Sequence, residues 1–358
     1  MRAKTLIVLA AATAVLGGAA IYVNAGKDAA PVDRFANELV FPQLAPRAAA
    51  IAAVRIERDG ETFALARAGD GWTMPGRDGY PVDGDLARRF LLELGALRVL
   101  ESRTANPALH AELDLDGAAK DQKATRVAVL DAQGAVLADL LIGRSRMGRQ
   151  GTAGDGTFVR RNGENQVFLA RGRFAPERDA AKWLDRRVAN VERERIARIE
   201  LLAVDGERLS AAKAGPGDND VQLADVPDDR RIKSAFDVNL LASALEGLDL
   251  DDARKAEGLD FDAARERAEY RTFDGLVVRV DFVQERDLRW ARLNVSFEAP
   301  AEPVDPAAHP NARLRTPEDA AKQAEEIAAR VRGWAYRFPD FKIEQMTRRV
   351  ADLVEAKE

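Results

Sequence analysis

The chain has 358 residues, of which 46% are hydrophobic and 32% are charged, so its composition is typical of a folded globular protein and excludes a disordered one. The formal net charge of −5 shows no basic bias, and we expect no nucleic-acid partner. The absence of cysteine excludes disulfides, thiolate metal sites and a cysteine nucleophile.

Residues Met1–Gly26 are predicted to be an N-terminal membrane anchor. Two basic residues precede the uncharged apolar run Thr5–Val23, which as a helix would span about 28 Å, close to the bilayer core of about 30 Å. The basic residues predict a cytoplasmic N-terminus, so the expected localisation is the bacterial inner membrane, crossed once, with the bulk of the chain in the periplasm. A cleaved signal peptide is the alternative, since Val23-Asn24-Ala25 is an acceptable cleavage site.

After a linker at residues 27–47, the chain is predicted to contain two copies of one repeat, residues 48–192 and 193–358. Alternating apolar residues that lead into a glycine-containing turn predict a strand and a hairpin at Ile51–Glu61 and again at Ile196–Glu207. Matched positions lie about 150 residues apart, which is the size of one domain. Chance similarity between ordinary segments is the alternative.

Each repeat is also predicted to contain helices. Pro81–Asp83 is expected to begin one, and Asp228-Asp229 its counterpart in the second repeat. A closing helix is expected at Trp183–Arg186 and at Trp334–Arg337. Because tight turns join most strands, the expected fold class is α+β: an N-terminal transmembrane helix followed by two tandem repeats, each an antiparallel sheet with helices packed on one face.

Two features distinguish the C-terminal part of the second repeat. A proline-rich insertion at residues 299–317 predicts an extended loop. Apolar residues at helical spacing predict an amphipathic helix over Ile343–Val354. Its apolar face could dock a partner, although amphipathic helices usually bury that face in their own domain.

The sequence indicates no catalytic residue, no metal site and no cofactor. The two histidines, His110 and His309, lie in different predicted repeats and lack the motif context of zinc ligands. Ser145 is not part of a Gly-x-Ser-x-Gly motif. The acidic stretches Asp114–Gly117 and Asp249–Asp252 lack the ligand spacing of a calcium-binding loop.

One segment could bind an anion. The stretch Gly143–Gly156 contains five glycines together with Arg144, Arg146 and Arg149, so backbone N–H groups and guanidinium groups could meet a negatively charged ligand. The phosphate-loop motif Gly-x-x-x-x-Gly-Lys-Ser/Thr is absent. An exposed hairpin loop without a ligand is the alternative, because loops are commonly polar and rich in glycine.

The sequence resembles the bacterial family known as domain of unknown function 4340 (DUF4340). The resemblance rests on the apolar N-terminal segment and on a set of structural motifs: Phe41-Pro42-x-Leu44, Gly71-Trp72, Tyr80–Asp83, Leu140–Gly143 and Trp183–Arg186. It implies a membrane-anchored periplasmic protein whose gene often lies beside that of a gliding-type ABC transporter. It supplies no functional residue.

Three functions are therefore considered. The favoured one is a non-enzymatic, membrane-anchored periplasmic accessory or scaffold protein of an ABC-type transport system, with the inner membrane and transporter subunits as partners. The second is a periplasmic solute- or polymer-binding protein. The third is an envelope hydrolase that uses two carboxylates, roughly 5–10 Å apart, which a chain with 59 acidic residues does not exclude.

Overall fold

A computed structural model describes residues 33–147, 154–224, 226–302 and 304–357. It is 38% strand and 24% helix, and its strand pairing is antiparallel. The chain divides into two compact units: the first comprises Met1–Thr62 and Arg89–Pro176, and the second comprises Phe63–Arg88 and Glu177–Glu358.

The strands, numbered in chain order, are β1 (Ile51–Arg58), β2 (Glu61–Ala68), β3 (Gly71–Met74), β4 (Tyr80–Pro81), β5 (Val99–Ser102), β6 (Thr125–Asp131), β7 (Val136–Arg146), β8 (Gly156–Arg161), β9 (Val167–Arg171), β10 (Arg187–Ala189), β11 (Ile196–Leu202), β12 (Arg208–Ala212), β13 (Gln222–Leu223), β14 (Arg230–Ile232), β15 (Leu248–Asp249), β16 (Asp252–Lys255), β17 (Glu266–Thr272), β18 (Leu276–Glu285), β19 (Leu288–Phe297), β20 (Trp334–Arg337) and β21 (Val354–Ala356). The α-helices are α1 (Gly84–Ala96), α2 (Ala235–Leu240), α3 (Pro317–Val331), α4 (Asp340–Met346) and α5 (Val350–Leu353).

In the first unit, the strands lie in the order β1-β6-β7-β8-β9-β5. Each neighbouring pair is antiparallel. Valine, isoleucine and leucine fill the inner strands, and these residue types suit a pleated, buried surface. One core cluster of this unit joins the loop after β5 to strands β7, β8 and β9, through Leu115, Leu141, Phe158 and Leu169.

In the second unit, the strands lie in the order β11-β17-β18-β19-β20-β16, again antiparallel, and β12 and β13 continue the sheet beyond β11. Helix α3 packs on β18 and β19. Its buried residues Ala320, Ala324, Ile327 and Val331 recur every three or four positions, as an amphipathic helix requires. The Thr316 hydroxyl caps the helix by accepting a hydrogen bond from Asp319 N at 3.2 Å.

The two sheets share their topology in detail. Strands β1, β6, β7, β8, β9 and β5 have the same order as β11, β17, β18, β19, β20 and β16. The first pairing of each sheet also contains a register shift at the same place, between Ile51 and Ala53 and between Ile196 and Arg198. A bulge is a local feature that strand order does not require, so its recurrence adds to the likeness. The common origin of the sheets and the repeat boundaries stay predictions.

The expected fold class is wrong. Strand outweighs helix, and four of the five α-helices above span between four and thirteen residues, so the structure is mostly antiparallel sheet rather than sheets under layers of helices. Among the residues that the structure describes, no helix is long and apolar enough to cross a membrane. The expected single-pass inner-membrane localisation is corrected accordingly, because this finding gives it no support. The predicted anchor itself, Met1–Gly26, lies outside the described residues.

Several predicted helices are also wrong in place or kind. Trp183 ends a short 3-10 helix, and Trp334–Arg337 is strand β20. The helix expected after Asp229 begins only at Ala235, because Arg230–Ile232 pairs with β21. The predicted C-terminal helix is broken into α4, α5 and a strand. Short apolar runs fit both helical and strand periodicity, and here pairing with distant strands decides between them.

Candidate functional site

A cleft of about 480 Å³ opens at one end of the second unit's sheet. It lies between the loop that joins β16 to β17 and the ends of three neighbouring strands, where β17 begins, β18 ends and β19 begins. The strands β17, β18 and β19 are consecutive in the sheet, so their backbone hydrogen bonds fix one wall of the cleft.

Local interactions hold the other wall in place. Phe261 is buried against Trp290 and Ala335, and this contact anchors the loop to the sheet. The Arg292 guanidinium lies 4.8 Å from the centre of the Phe261 ring, which is a cation–π distance. At the tip of the β18–β19 hairpin, Gln284 Nε2 donates a hydrogen bond to Arg286 O at 2.8 Å. The cleft therefore has a built frame.

Glu266 is the central charged residue of the cleft. It is the first residue of β17, and only 14% of its side chain is exposed. Arg289 Nε lies 3.6 Å from Glu266 Oε2, beyond the distance of a hydrogen bond. Burial raises the pKa of the Glu266 carboxyl, and the charges of Arg289 and Arg349 offset that rise only in part.

The other two carboxylates of the lining have partners of their own. Glu285 Oε2 accepts a hydrogen bond from Arg254 Nη1 at 2.8 Å, and Asp260 Oδ1 accepts one from Ala263 N at 3.1 Å. Three carboxylates and two guanidinium groups line the cleft, those of Arg265 and Arg289, so its formal net charge is −1. Apolar surface is added by Leu259, Phe282 and Val283.

This arrangement can hold a small polar ligand that also has an apolar part. The half-buried carboxylate offers a charged contact, the arginines offer donors, and the apolar wall can cover an alkyl stem. No group of three or more possible metal-ligating side chains occurs in the described part of the chain.

The structure describes two of the three arginines that were predicted to bind an anion. Arg144 and Arg146 lie on β7, because this strand continues to Arg146, into the segment that was predicted to be a loop. Arg146 Nη1 lies 2.8 Å from Glu101 Oε1, and Arg144 lies 5.9 Å from the centre of the Phe158 ring. Arg149 lies outside the described residues. The anion-binding loop stays a prediction.

Most of the remaining sequence candidates have structural partners. His110 is buried, and its Nε2 lies 3.0 Å from Asn165 O. His309 flanks two 3-10 turns in the proline-rich insertion. Ser145 Oγ lies 3.3 Å from Thr157 Oγ1. In the acidic stretch of the second unit, Asp252 Oδ1 accepts a hydrogen bond from Arg77 Nε at 2.6 Å, and Asp249 pairs with an arginine in the same way.

Sequence reasoning missed Glu266 and Arg289. Both stand in strands rich in charge, where a solvated position is the usual interpretation. The residues are 23 positions apart in the sequence. They come close because β18 pairs with both of their strands, and its register sets Glu266 and Arg289 at the same end of the sheet. The one available signal was Asp260 and the glycine before it, which interrupt the strand pattern and predict a loop at this end of the sheet.

The structure defines a protein built on antiparallel sheets of matching strand order, with a polar cleft in its second unit. The model of the family described as Domain of unknown function (DUF4340) matches residues 72–270, which is more than half of the chain. The protein belongs to this family, as its sequence motifs predict. No curated protein and no solved structure matches the chain.

Proposed function

We propose that this protein is a non-enzymatic binding protein that serves an ABC-type transport system. The cleft at the end of the second unit's sheet carries the binding part of the proposal, because it combines a rigid frame, a half-buried charge and an apolar wall. The link to transport rests on the family resemblance, which implies genes that neighbour those of such transporters.

The charges in the cleft favour binding over hydrolysis. A carboxylate-based hydrolase needs one protonated acid and one free carboxylate across the bond it cleaves. The raised pKa of Glu266 would suit the acid. Glu285, which also lines the cleft, accepts a hydrogen bond from Arg254 at 2.8 Å and 43% of its side chain is exposed, so a guanidinium group and water already meet its charge. The cleft is therefore proposed to hold its ligand unchanged.

Ligand binding is tested by thermal shift on the full chain. A panel of amino acids, amines, sugars and phosphates is screened, and at a concentration of 100 Kd a true ligand stabilises the protein by about 2.7 kcal/mol. The expected result is a shift with at least one class, abolished when the cleft is filled by Ala264→Trp. If no class shifts the melting temperature, the binding part of the proposal is wrong.

The transport part is tested by site-specific photocrosslinking in cells that contain the transporter. The crosslinking residue is placed at Val204, which lines the cleft and is 59% exposed, and at Val136 as a matched control that is 57% exposed in the first unit. We expect adducts with a transporter subunit, identified by mass spectrometry, from position 204 and not from position 136. Equal adducts at both positions, or none at either, contradict the proposal.

A further inference from the structure

Comparison with Glu269, a second glutamate on β17, shows what Glu266 lacks. Glu266 and Glu269 are equally shielded, because 14% of each side chain is exposed. Glu269 accepts hydrogen bonds from Arg271 Nε and Arg279 Nη2, each at 2.8 Å. Burial acts against the charge of Glu269, yet these two arginines lower its pKa overall. Burial raises the pKa of Glu266. Glu269 thus has two arginines at hydrogen-bond distance, whereas Arg289 Nε lies 3.6 Å from Glu266 Oε2.

The protein places cations near Glu266 without pairing them closely to it. Arg289 lies 3.6 Å away and 36% of its side chain is exposed, so water still solvates its charge. Arg349 also acts on Glu266, but its Nη1 lies 2.8 Å from Asp205 Oδ2. The carboxylate of Glu266 has therefore lost water on folding and has not gained an equivalent partner. A cation that entered the cleft would supply that partner.

The apolar wall indicates the rest of the ligand. Phe282 pairs with Glu266 across β17 and β18 and lies buried on the same face of the sheet. Leu259 and Val283 pack against Trp290 and its neighbours on the opposite face, and they line the cleft where the strands end. Methylene groups can cover such a surface while a charged end reaches a carboxylate. The net charge of −1 in the lining also favours a cation over an anion.

We infer that the cleft binds a primary ammonium group on an alkyl stem, with the ammonium against the Glu266 carboxylate and the stem passing the strand ends toward Leu259 and Val283. This inference rests on the proposed binding function and names the class of its ligand. Two sources have this chemistry, a free alkyl diamine and a lysine side chain. A free diamine can enter the cleft completely. A lysine side chain can also enter it, but the polypeptide backbone that carries the lysine stays at the mouth of the cleft.

The test is isothermal titration calorimetry on the full chain at pH 7.5, with cadaverine and with Nα-acetyl-lysine amide as probes. Pentanoate, which has a similar stem and the opposite charge, is the control ligand. We expect an amine to bind and pentanoate not to bind. Cadaverine that binds more tightly than the lysine derivative indicates a diamine, and the reverse indicates a lysine side chain. Failure of both amines, or equal binding of pentanoate, overturns the inference.

The matched variants are Glu266→Gln and Glu269→Gln. The first should weaken amine binding by about tenfold or more, which corresponds to the loss of a hydrogen bond to a charged group. The second should leave it unchanged, because Glu269 does not line this cleft. Equal loss in both variants overturns the inference.

Two further measurements separate a lost contact from a lost fold. In the folded state Glu266 binds its proton more tightly than in the unfolded chain, so its ionisation lowers stability as the pH rises through its raised pKa. Glu266→Gln should therefore melt at a higher temperature than the native protein at pH 7.5, even though it binds amine less well. Lowering the pH protonates Glu266 while Arg289 and Arg349 keep their charge, so amine binding to the native protein should weaken. The variant has no carboxyl group at this position, so its amine binding should not change.

The failure of this inference and the failure of the proposed function give different results. If an anionic or neutral compound binds in the cleft and amines do not, the protein remains a binding protein and only the ligand class is wrong. If nothing in the panel binds, both are wrong.

Discussion

Both units contain the same turn with an arginine–aspartate pair, but the arginine is exposed in the first unit and buried in the second. Asp131 ends β6 in the first unit, and Asp274 follows β17 in the second. Each carboxylate pairs with an arginine that precedes the first strand of its sheet, Arg47 or Arg195. In the first unit, 51% of the Arg47 side chain is exposed and its Nη2 lies 3.4 Å from Asp131 Oδ2. In the second unit the Arg195 side chain is fully buried.

What covers Arg195 explains the difference. Arg195 makes two parallel contacts to Asp274, Nε to Oδ2 at 2.9 Å and Nη2 to Oδ1 at 3.1 Å. Helix α3 adds Gln323, whose Oε1 accepts a hydrogen bond from Arg195 Nη1 at 2.8 Å. The proline-rich insertion adds Arg315, whose N donates to Asp274 Oδ2 at 2.8 Å. The surface ion pair of the first turn thus corresponds to a buried network at the second. Loss of a contact in the buried network lowers the free energy of unfolding more.

The largest effect is expected at Asp274. Asp274→Ala removes two hydrogen bonds from the buried Arg195 guanidinium and leaves Glu192, whose Oε2 lies 3.1 Å from Nη1, to oppose its charge. We expect a cost of about 3 kcal/mol, at the lower end for breaking a buried pair. The matched variant is Asp131→Ala in the first unit. It removes hydrogen bonds from Gln133 N and Ala135 N, and we expect it to cost about 1 kcal/mol. The free energy of unfolding of each unit is measured by native-state hydrogen exchange in increasing urea.

Similar costs for Asp274→Ala and Asp131→Ala would contradict this view of the two turns. A second variant guards against general unfolding: Arg195→Met together with Asp274→Leu removes both charges. We expect it to recover part of the stability, because an apolar pair avoids the cost of a buried charge that has lost its bidentate partner.

The sequence predicts the strands around these turns and not their burial. Alternating apolar residues and the glycines at positions 134 and 275 locate β6, β7, β17 and β18. The burial of Arg195 depends on Gln323, which lies 128 residues away on α3. No local pattern encodes a contact at that separation, and arginine is almost always predicted to be exposed.

The glycines at the two turns are the next comparison. Gly275 has φ +92°, and a Cβ there would lie 2.5 Å from Glu298 O. Gly134 has φ +80°, and nothing lies within 4 Å of its Cβ position. Gly275→Ala combines backbone strain with a clash, so we expect it to cost about 2–4 kcal/mol, while Gly134→Ala costs about 1 kcal/mol from strain alone. Hydrogen exchange in urea again gives both values.

The glycine comparison also has an outcome that would contradict it. If Gly275→Ala costs no more than Gly134→Ala, the chain at Glu298 moves away easily, and the second turn is less constrained than its contacts indicate. Gly163→Ala, at φ +83° with nothing within 4 Å, provides a second measure of strain alone.

An arginine–aspartate–asparagine set recurs on both sheets and gives a smaller contrast. In the second unit, Asp281 accepts hydrogen bonds from Arg267 Nε at 2.6 Å and Asn294 Nδ2 at 3.1 Å. In the first unit, Asp139 accepts them from Arg126 Nε at 2.9 Å and Asn162 Nδ2 at 2.9 Å. The exposed fraction of the side chain is 3% for Asp281 and 15% for Asp139.

Because Asp281 is better shielded from water, its loss should be the more costly of the two. We expect Asp281→Ala to cost about 2 kcal/mol, within the range for hydrogen bonds to charged groups, and Asp139→Ala about 1 kcal/mol, because water replaces part of its contacts. Adding 1 M salt should reduce both costs only slightly, since partly buried pairs are poorly screened. A larger cost at Asp139 would show that exposure does not rank these two sites.

The candidate cleft illustrates a further limit of sequence reasoning. Glu266 and Glu269 look alike in the sequence, since each is an acidic residue in a strand with an arginine within two positions. Their difference arises from which arginines the sheet brings within 3 Å, and that depends on register across β17, β18 and β19. Chain pattern predicts the strand; the counter-charge of each carboxylate depends on the three-dimensional structure.

The smallest effect is expected at Arg47. Arg47→Ala should change the free energy of unfolding of the first unit by no more than about 0.5 kcal/mol, because an exposed ion pair gains little over two hydrated charges. A double-mutant cycle with Asp131→Ala isolates the pair, and we expect a coupling energy near zero that does not change in 1 M salt. A coupling above about 1.5 kcal/mol would contradict this expectation, since exposed pairs rarely reach that value. A coupling near zero would mean that the shared fold brings this arginine and aspartate together in both units, and that only the cover provided by α3 and the insertion makes the second pair important for stability.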